Sequence, residues 1–312
     1  MNRLYRAQNF LHKPWKEKIN NIQFRLKRLL NRLLPGVPLL IHLPYGGWWF
    51  ATDDTISKSI FTSGFEDAEW RFVDNFLKEG MTVLDIGAHH GFYTILAAKK
   101  VGSTGAVIAF EPSTRERRRL VWHLRINHCH NVKIEPVALA YQDGEAPLFI
   151  VGGRRTAFNS LRPPAVSEPT RKITVNTMTL DHYLQKEGIH HIDFIKIDAE
   201  GAELEILEGA RELLNQAPSP VLMVEVSDIR TEPWGYPSSA IFHFLADRGY
   251  RWFSIGPEGR LQPSEERGSL YNFVAVPQKK LAEVGELIDP IGHSGDQYRV
   301  TNAIPTGLAR SF

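Results

Sequence analysis

The sequence predicts an α/β fold with a mostly parallel sheet, and three stretches carry that prediction. In the first, the apolar run Val83-Leu84-Asp85-Ile86 holds one carboxylate and passes through Gly87 and Gly91 into Phe92, Ile95, Leu96 and Ala98 at helical spacing. In the second, an apolar run at 106–110 ends at Glu111 and leads into Leu120, Val121 and Leu124. In the third, Phe194-Ile195-Lys196-Ile197 ends at Asp198 and Glu200, and Leu204, Leu207, Ala210 and Leu214 follow. Strands that alternate with amphipathic helices build βαβ units. In an open sheet of this kind ligands bind outside the carboxyl ends of the strands, so Asp85, Glu111, Asp198 and Glu200 are expected on one rim.

The whole chain bounds the reading. With 312 residues, 43% hydrophobic and 23% charged, it suits one large globular domain with extensions, set at 60–280 between a basic lead-in at 1–59 and a tail at 281–312. One cysteine, Cys129, allows no intrachain disulfide, which fits a reducing compartment. No apolar run approaches the roughly 20 residues of a membrane span, and no secretory signal is legible, so a cytoplasmic location is expected. The net charge of +2 hides an asymmetry: residues 1–34 hold nine Lys or Arg against Glu17, giving +8 there and −6 elsewhere. A nucleic-acid role would spread basic and aromatic residues over the folded domain, and the domain is acidic, so no nucleic-acid partner is expected.

Taken in order, residues 19–34 set Ile19, Ile22, Leu26, Leu29, Leu30 and Leu33 at helical spacing among Arg25, Lys27, Arg28 and Arg32, a basic amphipathic pattern ended by Pro35-Gly36. Such a helix rests on an anionic surface such as the inner membrane, on a partner protein, or on its own domain. Residues 39–50 and 52–61 read as short strands or an irregular lead-in, with Trp48 and Trp49 as core residues or a platform for a sugar ring. A helix is expected at about 66–77, before the Asp85 strand. After the strand at 106–110, Ser113-x-x-Glu116 marks a capping box, and Arg115, Arg117, Arg118 and Arg119 read as a solvated face. His123, His128, Cys129 and His130 lack the companions of a metal site and read as helix-end residues. Residues 132–140 read as a strand, and Asp143-Gly144 turns the chain into another at 146–151. The Gly-, Arg- and Pro-rich stretch at 152–169 is long for a connection, hence a candidate substrate loop in which Arg154 and Arg155 either clamp an anion or face solvent. Beyond it come a strand at 173–179, a short helix at 180–187, the Asp198 strand and its helix, and a strand at 221–226 that brings Glu225 and Asp228 toward the same edge. A helix at 238–247 and a closing hairpin at 250–255 and 269–276 follow, then a short helix in the tail.

Gly87 and Gly91 point to backbone held against a ligand, although a plain strand-to-helix turn has the same glycines. A dinucleotide asks for G-x-G-x-x-G, whereas this spacing is G-x-x-x-G. Asp85 would oppose phosphate and welcome an ammonium, which favours S-adenosylmethionine. Glu111, 26 residues beyond Asp85, can accept both hydrogen bonds of a ribose diol.

The region from about 60 to 277 resembles the FkbM family of S-adenosylmethionine-dependent methyltransferases. The resemblance lies in Val83-Leu84-Asp85-Ile86-Gly87-Ala88-x-x-Gly91-Phe92-Tyr93-Thr94, Phe110-Glu111-Pro112, Val137-Ala138-Leu139 with Asp143-Gly144, Asn159-Ser160-Leu161, Thr179-Leu180-Asp181, and 195–203 with Val224-Glu225 downstream. It implies a Rossmann-like class I methyltransferase fold, a seven-stranded mostly parallel sheet with helices on both faces and the last strand antiparallel, and commonly O-methylation of a sugar or polyketide hydroxyl. It also implies that Asp85, Gly87 and Gly91 line the methionine end of the cofactor, that Glu111 holds the ribose, and that adenine lies between the strand ends at Phe110 and Ala138. His89 stands where the family generally has Asn. The acceptor is then a hydroxylated small molecule or glycan, with Asp198 or Glu200 as the base that takes its proton. Two other roles are open to that pair: helix capping with a hydrogen bond to the cofactor, and Mg²⁺ binding together with Glu225. A nicotinamide-dependent oxidoreductase and a non-catalytic binding module are the rival functions.

Overall fold

The computed structural model describes residues 39–62, 64–264 and 271–289, together with Leu26 and Leu29 in helical backbone. The rest of the basic pattern at 19–34 and the tail beyond 289 lie outside the described residues.

A hairpin of β1 (Leu40–His42) and β2 (Trp48–Phe50) opens the fold. Helix α1 (Thr55–Thr62) follows, where the sequence suggested strand or irregular chain. Asp54 explains the difference, because its Oδ1 accepts the Ser57 N–H at 2.7 Å and caps the first turn. Helix α2 (Asp67–Phe76) leads to β3 (Thr82–Ile86), then α3 (Phe92–Val101), β4 (Ala106–Phe110), α4 (Thr114–Ile126) and β5 (Val132–Glu135). The single strand expected at 132–140 is split: β6 (Ala138–Leu139) leaves the main sheet and joins β7 (Gly144–Val151) and β8 (Thr170–Met178) in a separate three-stranded sheet. Pro136, which has no N–H to give a ladder, stands at the break.

Helix α5 (Leu180–Glu187) precedes β9 (Phe194–Ile197), the short helices α6 (Glu203–Glu208) and α7 (Arg211–Asn215), and β10 (Val221–Val226). One helical turn, α8 (Asp228–Thr231), precedes α9 (Ser239–Ala246), and β11 (Tyr250–Ile255), β12 (Leu261–Pro263) and β13 (Tyr271–Pro277) close the fold. A 3-10 turn at Gln278–Lys280 follows β13, and among the described residues of the tail the helical piece is a second 3-10 turn, Gly285–Leu287.

The main sheet runs β12-β11-β13-β10-β9-β3-β4-β5. Strands β3, β4, β5, β9 and β10 are parallel, and β13 runs antiparallel to both of its neighbours. This is the expected doubly wound sheet, with β12 adding an eighth strand at the edge. Alternation along β3 sorts its residues between two cores. Val83 joins Phe72, Ile95, Leu96 and Leu120 on one face, and Leu84 and Ile86 join Leu180, Ile206, Ile241 and Phe242 on the other. Trp49 is buried in the first core. The β3–β9 register sets Asp85 directly beside Lys196, which fixes the electrostatics of the rim.

Candidate active site

The carboxyl ends of β3, β4 and β9 open into a cleft with about 590 Å³ of empty space, part of it open to solvent. Phe110, Val137, Ala138, Leu139 and Leu148 line an apolar slot at one end, and Asp198, Ala199 and Glu200 line the other. Gly87 and Glu111 lie on the wall, and Ala157, Asn159, Ser160 and Leu161 of the long loop complete it.

Each motif residue has a local reason to be where it is. Gly87 has φ +80°, and a Cβ there would lie 1.8 Å from the Asp198 carbonyl oxygen, so only glycine lets the β9 end close against the β3 turn. Gly91 also has positive φ, but its missing Cβ makes room for Leu120, whose Cδ1 lies 2.3 Å from where a Cβ would stand, and it does not line the cavity. Asp85 stands behind the wall. It is 2% exposed, accepts Thr94 Oγ1 at 2.5 Å with one oxygen, and its Oδ1 has no hydrogen-bond partner. Glu111 accepts the His89 N–H at 2.9 Å on Oε2 and the Ser113 N–H at 2.7 Å on Oε1. Each oxygen keeps a second lone pair, as a ribose diol would require. Burial, reinforced by Glu116, pushes the Glu111 carboxyl up to about 8.

The acids at the other end form one charge network. Lys196 is buried with its Nζ 2.9 Å from Asp198 Oδ2, and Glu200 pairs with Arg230 at 2.7 Å. Burial alone would lower the Lys196 ammonium, but Asp198, Asp85 and Glu66 outweigh it and hold the group charged. Burial also opposes ionisation of Asp198. Lys196 and a hydrogen bond from Glu225 outweigh it, and the carboxyl stays below the usual range. Burial pushes Glu200 up to about 8 against the pull of Arg230, and pushes Glu225 well above its ordinary value, with Asp198 and Glu200 adding to the rise. Asp198 is thus the anion, and Glu225 is the neutral acid that donates to it. Ligand atoms of Asp198, Glu200 and Glu225 lie within 4.8 Å of one another, but Lys196 and Arg230 already balance their charge, which weakens the case for a cation there.

Glu200 and His89 both line the cavity with positive φ, +54° and +49°, conformations a non-glycine side chain adopts at a cost. The His89 ring stacks on His90 at 3.6 Å and reaches Thr156 Oγ1 at 3.2 Å, and burial lowers it to about 4, leaving it neutral. His89, His90 and Glu116 also come within ligand distance of one another. Arg115 already holds Glu116 at 2.6 Å.

Several expectations are corrected. Arg154 and Arg155 are not free loop charges: they pair with Asp53 and Glu168, at 3.1 and 3.3 Å. The helix α4 arginines are not merely solvated: Arg117 donates to the Glu111 and Pro112 carbonyls at 2.7 and 2.6 Å, and Arg119 reaches Thr52 and Asp54. The Ser113 hydroxyl donates to Glu116 rather than capping the helix backbone. His123 donates from Nδ1 to the His90 carbonyl and accepts the Phe50 N–H on Nε2, so both ring nitrogens are used. Asp228 accepts the Ser238 N–H at 3.1 Å and stands apart from the acid cluster.

Of the residues singled out from the sequence, Gly87, Glu111, Ala138, Asp198 and Glu200 converge on the cavity, while Asp85 and Gly91 support it from behind. Lys196 and Arg230 were missed. A lysine inside the apolar run at 194–197 was a readable sign of a buried partner; nothing in the sequence around Arg230 marks it.

A smaller cavity of about 240 Å³ shares Ser160 and Glu200 with the first and is otherwise lined by Pro163, Pro164, Ala165, Ile229, Arg230, Pro233 and Trp234.

A family model described as the methyltransferase FkbM domain matches residues 85–252. Among solved structures, the chain is similar to an O-methyltransferase from Bacillus cereus in complex with SAH, at 15% identity over 68% of this chain and 80% of that one, TM-score 0.42. It is also similar to precorrin-6y C5,15-methyltransferase from Geobacter metallireducens, at 13% identity over 69% and 89% of the two chains, TM-score 0.41. A putative rRNA-methylase from Clostridium thermocellum matches at 11% identity over 66% and 90%, TM-score 0.40. No curated protein sequence matches.

Proposed function

The chain belongs to the FkbM methyltransferase family, with S-adenosylmethionine as methyl donor, and from that premise we propose that it O-methylates a sugar or other natural-product hydroxyl. The cavity suits the donor chemically. The apolar slot at Phe110, Ala138 and Leu139 fits adenine, Glu111 has free lone pairs for the ribose, and the acid-rich end fits a molecule carrying an ammonium and a sulfonium. The orphaned Asp85 Oδ1 adds negative potential behind that end. When bound, the donor supplies an electrophilic methyl on an already activated leaving group, so positioning of the acceptor carries much of the rate.

An aliphatic hydroxyl must give up its proton, and one observation supports where it goes: Asp198 and Glu200 share one rim but differ in basicity. Asp198 stays ionised and favours the cationic end of the donor. Glu200, with its carboxyl at about 8, has the basicity of an effective base near neutral pH. Glu200 also stands where the two cavities meet, so an acceptor entering past Pro163, Pro164 and Trp234 reaches its carboxylate first.

The test is Glu200→Gln beside Asp198→Asn, assayed by mass spectrometry for methyl gain over a panel of glycans and glycosides. Glu200→Gln is expected to lower turnover by about 10²–10⁴-fold with donor affinity unchanged. Unchanged turnover in Glu200→Gln would remove Glu200 from the chemistry, and absence of methyl transfer by the unaltered enzyme to any hydroxyl in the panel would count against O-methylation.

A further inference from the structure

We infer that Ser160 is a positioning residue for the reaction: from the long loop, 40 residues earlier in the chain, it holds the backbone of Glu200 in the conformation that turns the Glu200 carboxyl into the site. The inference rests on Glu200 as the base. It gives a role to Asn159-Ser160-Leu161, a motif that the chemistry above leaves without one. Ser160 is held for this task by its own neighbours. Its N–H and its carbonyl both pair with Phe149 of β7, and Asn159 beside it accepts the Val151 N–H at 2.8 Å, so this part of the loop is stitched to a strand. Ser160 is 4% exposed, and its Oγ accepts the Arg162 N–H at 3.4 Å. That leaves the hydroxyl proton for the Glu200 carbonyl, 2.8 Å away.

Glu200 needs such a hold. Its φ of +54° lies in the left-handed region, where a non-glycine residue stays only when its surroundings over-determine it. Glu203 braces the turn from inside, accepting the Ala199 and Gly201 N–H groups at 2.9 and 3.2 Å on one oxygen. Ser160 braces it from outside, at the Glu200 carbonyl itself. The same loop reaches the charge partner of the acid: the Arg230 guanidinium sits 4.2 Å from the Phe158 ring centre, and Arg230 pairs with Glu200 at 2.7 Å. Loop and acid thus meet twice, once through the Glu200 backbone and once through the cation beside its carboxyl. Without the Ser160 hydroxyl the Glu200 backbone can relax toward negative φ, which redirects its Cα–Cβ bond and carries the carboxyl away from Arg230 and the acceptor.

The experiment compares the full chain with Ser160→Ala, Glu200→Gln and the double variant, on whichever glycan or glycoside of the panel accepts methyl, and adds a crystal structure of Ser160→Ala. In Ser160→Ala, kcat is expected to fall by about 10–10²-fold, the cost of misplacing a reacting group by about 1 Å, with KM for the acceptor and donor affinity unchanged. In the Glu200→Gln background the same substitution should cost no further turnover, because both changes remove one function. The crystal structure should show Glu200 outside the positive-φ region. A raised KM at unchanged kcat would make Ser160 a contact to the acceptor and overturn the inference. Equal losses in both backgrounds would make its role structural and overturn it as well. If Glu200→Gln loses turnover and Ser160→Ala keeps it, the inference fails while the base stands; full turnover in Glu200→Gln removes both. Should no compound of the panel accept methyl, the O-methylation reading fails by itself, and an unmoved Glu200 in the crystal structure would still refute the hold by Ser160.

Discussion

Substituting Gly87 by Ala tests whether the site depends on the closeness of two strand ends. A Cβ at Gly87 would lie 1.8 Å from the Asp198 carbonyl oxygen, whereas contacts of this kind stay above 3.0 Å, so the two backbones must part by at least the 1.2 Å difference. Asp198 N–H donates to the Ile86 carbonyl at 3.1 Å, and that bond lies directly in the path of the shift. The φ of +80° adds roughly 1–2 kcal/mol for a non-glycine residue, and overpacking adds roughly 1–3 kcal/mol. A total near 3 kcal/mol is expected to lower the melting temperature by about 4–5 °C in a chain of this size. A displacement of about 1 Å at Asp198 is expected to weaken turnover by roughly 10²-fold. Gly188→Ala is the control: its φ is +65°, nothing lies within 4 Å of the added carbon, and it pays only the conformational cost. The assay is thermal melting together with calorimetric titration of S-adenosylmethionine. If the two variants melt alike and bind the donor alike, the close approach of Gly87 to Asp198 has no part in building the site.

Two further expectations concern protonation. Buried Glu66 and Glu203, pushed up to about 7, and Glu111 and Glu200, pushed up to about 8, bind more protons in the fold than in the unfolded chain, so their contribution to stability falls as pH rises through those values. Burial lowers His89, His90 and His123, which acts in the opposite sense below their ordinary value of 6.5, so the melting temperature of the free enzyme should fall between pH 6.5 and 8; a rise there would refute the carboxylate assignment. Donor affinity should strengthen by up to tenfold per pH unit as pH rises toward 8 if the ribose selects ionised Glu111, and calorimetry of Glu111→Gln should show a weaker affinity with that pH dependence removed.

The doubly wound sheet was legible because each βα unit writes itself locally: an apolar strand, a break, then an apolar stripe at helical spacing. Asp85, Gly87, Glu111, Asp198 and Glu200 were legible for the same reason, since the end of a parallel strand is a position sequence can mark. Where local signals were ambiguous, neighbouring side chains decided. Asp54 turned an apparent strand into α1 by capping it, and Pro136 divided one apparent strand between two sheets.

The charges were legible as residues but not as states. Only the register that sets Asp85 beside Lys196, and the packing that brings Arg230 from α8 against Glu200, determine which acid is ionised and which keeps its proton. The glycines divide in the same way. Sequence identified Gly87 and Gly91 as one turn, whereas the fold assigns Gly87 to the approach of Asp198 and Gly91 to the packing of Leu120. By itself, then, the sequence determined the sheet, its rim and the class of donor, because backbone periodicity and strand-end acids are local properties. The tertiary structure decided the charge network of the rim and the meeting of two cavities at Glu200, because those depend on distances between residues far apart in the chain.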